Sequence, residues 1–157
     1  MWVLKLGGSL AGSAGLADWA RGLARAGAGR CVVVTGGGQF ADQVRRAQRR
    51  WGCDDRTAHR MALRAMDQSG LLFAALAAGL VPAPDAESIA RVLAGGETPV
   101  WLPAGHAGAE PSLPQSWDTT SDSLAAWLAS ELGASALVLV KSVRLLDPEV
   151  AVDALAA

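Results

Sequence analysis

The sequence contains no tyrosine and only two phenylalanines, two histidines and two cysteines. Cys31 and Cys53 stand apart, in no CxxC and no Cys/His cluster, which favours free thiols over a metal or disulfide role. Two free thiols suit a reducing cytoplasm, the expected location. Charge of one sign is also missing. The 14 basic and 15 acidic residues nearly cancel, which argues against a nucleic-acid binder or a polybasic membrane protein. No apolar run is long enough for a bilayer. The longest, GLLFAALAAGLV from Gly70 to Val81, reads as a buried helix end. The N-terminus reads directly as a strand, so no secretory leader is expected. Two nucleotide signatures are absent as well, the Walker A pattern GxxxxGK[ST] and the dinucleotide pattern GxGxxG. What remains is a soluble, single-domain chain over residues 1–157, large enough to bury a real core.

Apolar β-branched runs alternate with helical periodicity. VLKL, RCVVVTGGG, TPVWLPAG and ALVLVKSV read as strands. Helices are expected over residues 13 to about 27, over QFADQVRRAQRRW, and from about Arg56 to Leu80, where Pro82 and Pro84 intervene. DAESIARVLAGG opens on Asp85 as N-cap and stops at Gly95, and SDSLAAWLASELG forms another helix. HAGAEPSLPQSW reads as a proline- and glycine-rich loop. Strands separated by helices imply a mainly parallel sheet covered on both faces, with ligands outside the carboxyl ends of the strands.

The unusual residues all fall at those ends. In WVLKLGGSL, Lys5 precedes Gly7 and Gly8, and a lysine there either reaches for water or waits for an anion. Bare glycine backbone lets N–H groups approach a phosphate closely. VVVTGGGQFAD repeats the device: three successive glycines cost about 1 kcal/mol each in a regular element, so Gly36, Gly37 and Gly38 suggest a ligand-facing turn. SWDTTSDSLAAWLA supplies hydroxyls and acids in excess of one helix cap, although Thr120, Ser121 or Asp122 also fits as N-cap. A carboxylate at this edge would pair with Lys5, and Asp122 is the choice. LVLVKSV ends a very apolar strand in Lys141, as Lys5 ends the first. Two lysines with a carboxylate between them suit phosphoryl transfer, which is mostly positioning plus positive charge.

KLGGS, VVVTGGG, TSDSLAAWLA and LVLVKSV, in this order and spacing, resemble the amino-acid kinase family of aspartate, glutamate and uridylate kinases. AHRMALRAMDQSG and LPQSWDTTSDSLAA further resemble its short branch acting on (aminomethyl)furanmethanol phosphate in methanofuran biosynthesis. The resemblance implies a three-layer α/β/α sandwich, ATP with Mg2+, a small anionic acceptor and a homo-oligomer. It implies Lys5, Asp122 and Lys141 as the catalytic set. Gly7, Gly8, Ser9, Lys141 and Ser142 would hold ATP, and Gly36, Gly37, Gly38, Thr120 and Ser121 would hold the acceptor. Relatives continue from the last strand through a DGV-like segment. Here the chain reads KSVRLLDPEVAVDALAA, so an abbreviated nucleotide segment is expected. That brevity favours the alternative, a non-catalytic anion- or nucleotide-binding subunit. A carboxylate or uridylate acceptor is a third reading.

An anionic acceptor needs no general base, whereas a hydroxyl acceptor usually does. His59 lies among Arg56, Arg60 and Arg64, a stripe read as a solvated face. Arg45, Arg46, Arg49 and Arg50 read as solvated surface or an oligomer contact, and His106 is given no role. Trp51, Trp101 and Trp117 sit near element ends, where packing is the default and an acceptor pocket or interface the alternative.

Overall fold

A run of five buried residues, Cys31–Thr35, makes strand β2, and only a strand covered on both faces reads so uniformly apolar. In the computed structural model it pairs in parallel with β1 (Trp2–Leu6) and β4 (Thr98–Trp101). β3 (Leu80–Ala83) and β5 (Ala136–Val140) complete an all-parallel sheet in the order β3-β4-β2-β1-β5. The structure describes residues 1–142. Val143, the last residue of the expected final strand, and the expected nucleotide segment beyond it lie outside the described residues.

Helices cover both faces, giving the three-layer α/β/α sandwich. α1 (Leu16–Ala26) buries Ala20 and Leu23 against Leu6, Cys31 and Val33. α6 (Ser121–Glu131) and α4 (Ala86–Ala94) bury Leu124, Leu128 and Ile89 on the other face, against Val3, Val32 and Val34. α3 (Asp55–Ala75) serves both, with Leu63 and Met66 in one cluster and Phe73 and Ala74 in the other. α2 (Gly38–Trp51) packs on α3 through Ala41, Val44, Ala58 and Ala65.

Local rules set several ends. Asp85 caps α4 in a capping box, accepting from Ser88 N–H at 2.7 Å while Ser88 Oγ accepts from Asp85 N–H at 3.1 Å, and Gly95 follows as C-cap. Three expectations are corrected. The helix expected over residues 13 to about 27 is α1, which starts only at Leu16, and a 3-10 turn at Gly8–Gly12 precedes it. The long helix ends at Ala75 rather than Leu80, and the GLLFAALAAGLV run contains its end, a turn and the start of β3. β3 carries Pro82, which fits because the strand lies at the sheet edge. TPVWLPAG is a strand only to Trp101. After it Pro103–His106 forms the short helix α5, and Ala107–Ala109 a 3-10 turn in the expected loop.

Candidate active site

The chain leaves β1 toward β2 on one side and returns at β5 on the other, so the topology switches direction beside β1. Ligands of open α/β sheets bind at such a point, past the carboxyl ends of the strands. Lys5 lies one residue before the end of β1, level with Val34 and Leu139. Two residues on from Val3, it shares the face covered by α6, and it is 4% exposed. A buried ammonium needs a partner. Asp122, in the first turn of α6, provides it, with Oδ1 2.6 Å from Lys5 Nζ. Lys141, immediately after β5, donates to the other oxygen, Oδ2.

One carboxylate thus bridges two ammonium groups, and the trio carries one positive charge in excess. Burial pushes the Asp122 carboxyl up. The hydrogen bonds and charges of Lys141 and Lys5 outweigh it and hold the group below its ordinary range. Asp122 is therefore an anion that orders lysines, not a base awaiting a proton. Lys141 remains about one-third exposed, so the excess charge faces the surface at the strand ends.

The glycine turns pack on each other. A Cβ on Gly8 would lie 2.9 Å from Gly38 N, and one on Gly36 would lie 2.7 Å from Gly8 N and 3.4 Å from Ser121 Oγ. Gly38 also adopts φ +49°. The bare backbone at Gly8, Gly36 and Gly38 is thus required by the contact between the turns themselves. Gly37 faces Ala41, at 2.7 Å from a built Cβ to that methyl. Of the first pair, Gly7 N–H donates to the Val140 carbonyl at 2.9 Å and is already spent. Gly8 and Ser9 open the 3-10 turn, where first-turn N–H groups have no partner within the helix. The same holds for the start of α2, whose N-cap Gly37 contributes no side chain. Ser9 Oγ and Ser142 Oγ lie 2.6 Å apart, joining the turn after β1 to the residue after Lys141. Thr120 is the N-cap of α6, accepting from Ser123 N–H at 3.2 Å. A narrow cleft runs alongside, lined by Leu6, Leu10, Thr35, Ser69, Leu72 and Phe73.

Lys5, Gly7, Gly8, Ser9, Gly36, Gly37, Gly38, Thr120, Ser121, Asp122, Lys141 and Ser142 therefore gather along the ends of β1, β2 and β5. His59 differs from its expected solvated face: it is 4% exposed, while Arg56, Arg60 and Arg64 are exposed. Its Nδ1 lies 3.1 Å from the Ser116 carbonyl. His106 approaches Glu131 Oε1 at 2.8 Å and sits edge-on to Trp101, away from the lysines. Among the described residues no three His, Cys, Asp or Glu side chains form a metal-binding group. No helix among them is long and apolar enough to cross a membrane.

The parallel sheet order and its flanking helices define a three-layer α/β/α domain with two lysines at its strand ends, and sequence comparison gives its family. The amino acid kinase family model matches residues 1–149, and the chain belongs to that family. A curated relative, the (5-(aminomethyl)furan-3-yl)methyl phosphate kinase of Methanocaldococcus jannaschii, is 26% identical over 145 residues, covering 91% of this chain and 66% of the relative. The crystal structure of uridylate kinase from Archaeoglobus fulgidus superposes with a TM-score of 0.69 at 20% identity, covering 90% of this chain and 63% of the kinase. The chain thus spans just under two thirds of the length of each.

Proposed function

We propose that the chain is an ATP-dependent phosphotransferase whose acceptor is a small anion, of which the phosphate of an aminomethylfuran methyl phosphate is the favoured example. The observation that carries this reading is the Lys5–Asp122–Lys141 bridge, with its unspent positive charge at the topological switch. In the reaction an acceptor phosphate oxygen forms a bond to the γ-phosphorus. The bond from that phosphorus to the β,γ-bridging oxygen breaks, and ADP leaves. Negative charge spreads over the transferring group, so fixed cations beside it lower the barrier.

Lys5, buried and held by Asp122, is the group for that charge. Lys141 and Ser142, with Gly8 and Ser9, are assigned to the ATP phosphates. Gly8 is preferred over Gly7 because the Gly7 N–H is spent on Val140. The first turn of α2, with Thr120 and Ser121, is assigned to the acceptor. Gly36, Gly37 and Gly38 contribute there through the turn they allow. The donor set suits nucleotide phosphates better than a metal cage of protein carboxylates, because Asp122 is already shared by two lysines. Bound Mg2+ would be held mainly by the phosphates and would neutralise charge on them. An anionic acceptor needs no deprotonation, which matches a site whose nearest carboxylate is locked to lysines.

Incubation with ATP, Mg2+ and a panel of phosphate, carboxylate and uridylate acceptors, followed by ADP release, tests the reading. ADP release is expected with the aminomethylfuran phosphate and not without acceptor. Nucleotide binding by calorimetry with no release under any acceptor would favour a non-catalytic binding subunit instead.

A further inference from the structure

Asp122 works only if the start of α6 is held at the strand ends, and the chain reaches α6 through residues 114–120, which have no regular structure. Three contacts fasten this segment to the α2–α3 hairpin. Trp117 Nε1–H donates to Gln48 Oε1 at 2.6 Å. The Arg45 guanidinium lies 4.6 Å from the Trp117 ring centroid, a cation–π distance. His59 Nδ1–H donates to the Ser116 carbonyl at 3.1 Å. Trp117 also packs against the cluster formed by Ala41, Val44, Ala58 and Ala65.

Gln48 is itself fixed, its Nε2 donating to Asp55 Oδ1 at 2.8 Å and to the Cys53 carbonyl at 3.3 Å. The segment then ties itself forward to the helix. Thr119 Oγ1 donates to the Pro114 carbonyl at 2.6 Å, Thr119 N–H to the Ser116 carbonyl at 3.3 Å, and Thr120 caps α6. The route from hairpin to carboxylate is thus unbroken. α2, whose first turn belongs to the glycine contact, also supplies Arg45 from its middle and Gln48 from its last turn. One rigid helix therefore spaces the glycine turns from Asp122.

We propose that Trp117 and His59, docked on Arg45 and Gln48, are positioning residues that hold Asp122 between Lys5 and Lys141. This rests on the phosphotransferase reading for its catalytic consequence, though not for its geometry. Packing alone would need any large apolar side chain at residue 117. The clasp uses directional handles instead, an indole N–H, a ring face toward a guanidinium and an imidazole N–H.

The test uses Trp117→Phe, which keeps a ring and loses the N–H, and His59→Leu. His59→Asn serves as rescue, because its amide N–H replaces Nδ1–H. Carbon-13 NMR titration of the Asp122 carboxyl and hydrogen exchange of the Ser123 amide are read beside steady-state kinetics. Trp117→Phe and His59→Leu are expected to move the Asp122 titration up toward the ordinary carboxylate range and to speed Ser123 exchange about tenfold. They should lower kcat while KM for ATP stays within about twofold. His59→Asn should restore all three. Unchanged Asp122 titration and Ser123 exchange in folded Trp117→Phe would overturn the proposal. A wild type with no transfer, in which the variants still shift the titration, would sink the kinase reading and leave the positioning role standing.

Discussion

Placing an ammonium in the interior costs several kcal/mol unless a carboxylate meets it, and Lys5 spends the single carboxylate described beside it jointly with Lys141. Two cations on one anion make a poor structural ion pair and a good phosphate site. The acid behaviour of Asp122 follows. Its pKa in the folded protein lies below the ordinary value, so it stabilises the fold fully above about pH 4. That contribution disappears as pH falls through the lower folded value. Asp122→Asn should therefore lose less stability than wild type between about pH 5 and about pH 2. Urea midpoints against pH measure it, and parallel curves would mean the carboxylate is not held by the lysines. The lysine at the end of a strand and the acid at the start of a later helix were both legible in the sequence, because chemistry at strand ends follows from topology. His59 was not. Three exposed arginines at helical spacing hid one buried imidazole, whose partner, the Ser116 carbonyl, lies 57 residues away.

At the scale of elements, the two glycine turns form one piece of architecture. Gly36→Ala drives a Cβ to 2.7 Å from Gly8 N, and backbone cannot swing aside as a flexible side chain can. A loss of about 1–3 kcal/mol is expected, read from denaturant midpoints. A smaller loss would show that the turns separate freely. Helix caps offer a matched comparison. Thr120→Ala and Asp85→Ala each remove an N-cap side chain and should each cost about 1 kcal/mol. Only Thr120→Ala should also depress transfer, since Thr120 is itself assigned to the acceptor and caps the helix that carries Asp122, whereas α4 carries no assigned site residue. Equal activities in the two variants would detach the cap from the site. The glycines announced a special turn in the sequence, but not that the special neighbour is the other turn. That contact joins residues 28 or more apart, and no local pattern encodes it. β3 was missed for the opposite reason. Pro82 and Pro84 speak locally against a strand, and only the edge position of β3 makes Pro82 acceptable.

At the scale of the molecule, the strand order does most of the functional work. β1 lies between β2 and β5, so the turns after β1 and β2, the start of α6 and the residue after β5 all meet at one edge. The alternation of strands and helices was enough to read a mainly parallel sheet with its unusual residues at the strand carboxyl ends, but not the strand order, which depends on pairings between residues far apart in the chain. The acceptor was less legible, because glycine backbone and lysine charge select for phosphate and say little about what carries it. The central claim is that the Lys5 ammonium stabilises a transferring phosphoryl group. It is tested most directly by the rate of ADP formation from ATP, Mg2+ and the aminomethylfuran phosphate in wild type against Lys5→Ala and the uncharged, similarly sized Lys5→Met, each shown to be folded. The account predicts a fall in kcat of about 10²–10³ in both variants. Turnover by folded Lys5→Met at the wild-type rate would contradict it.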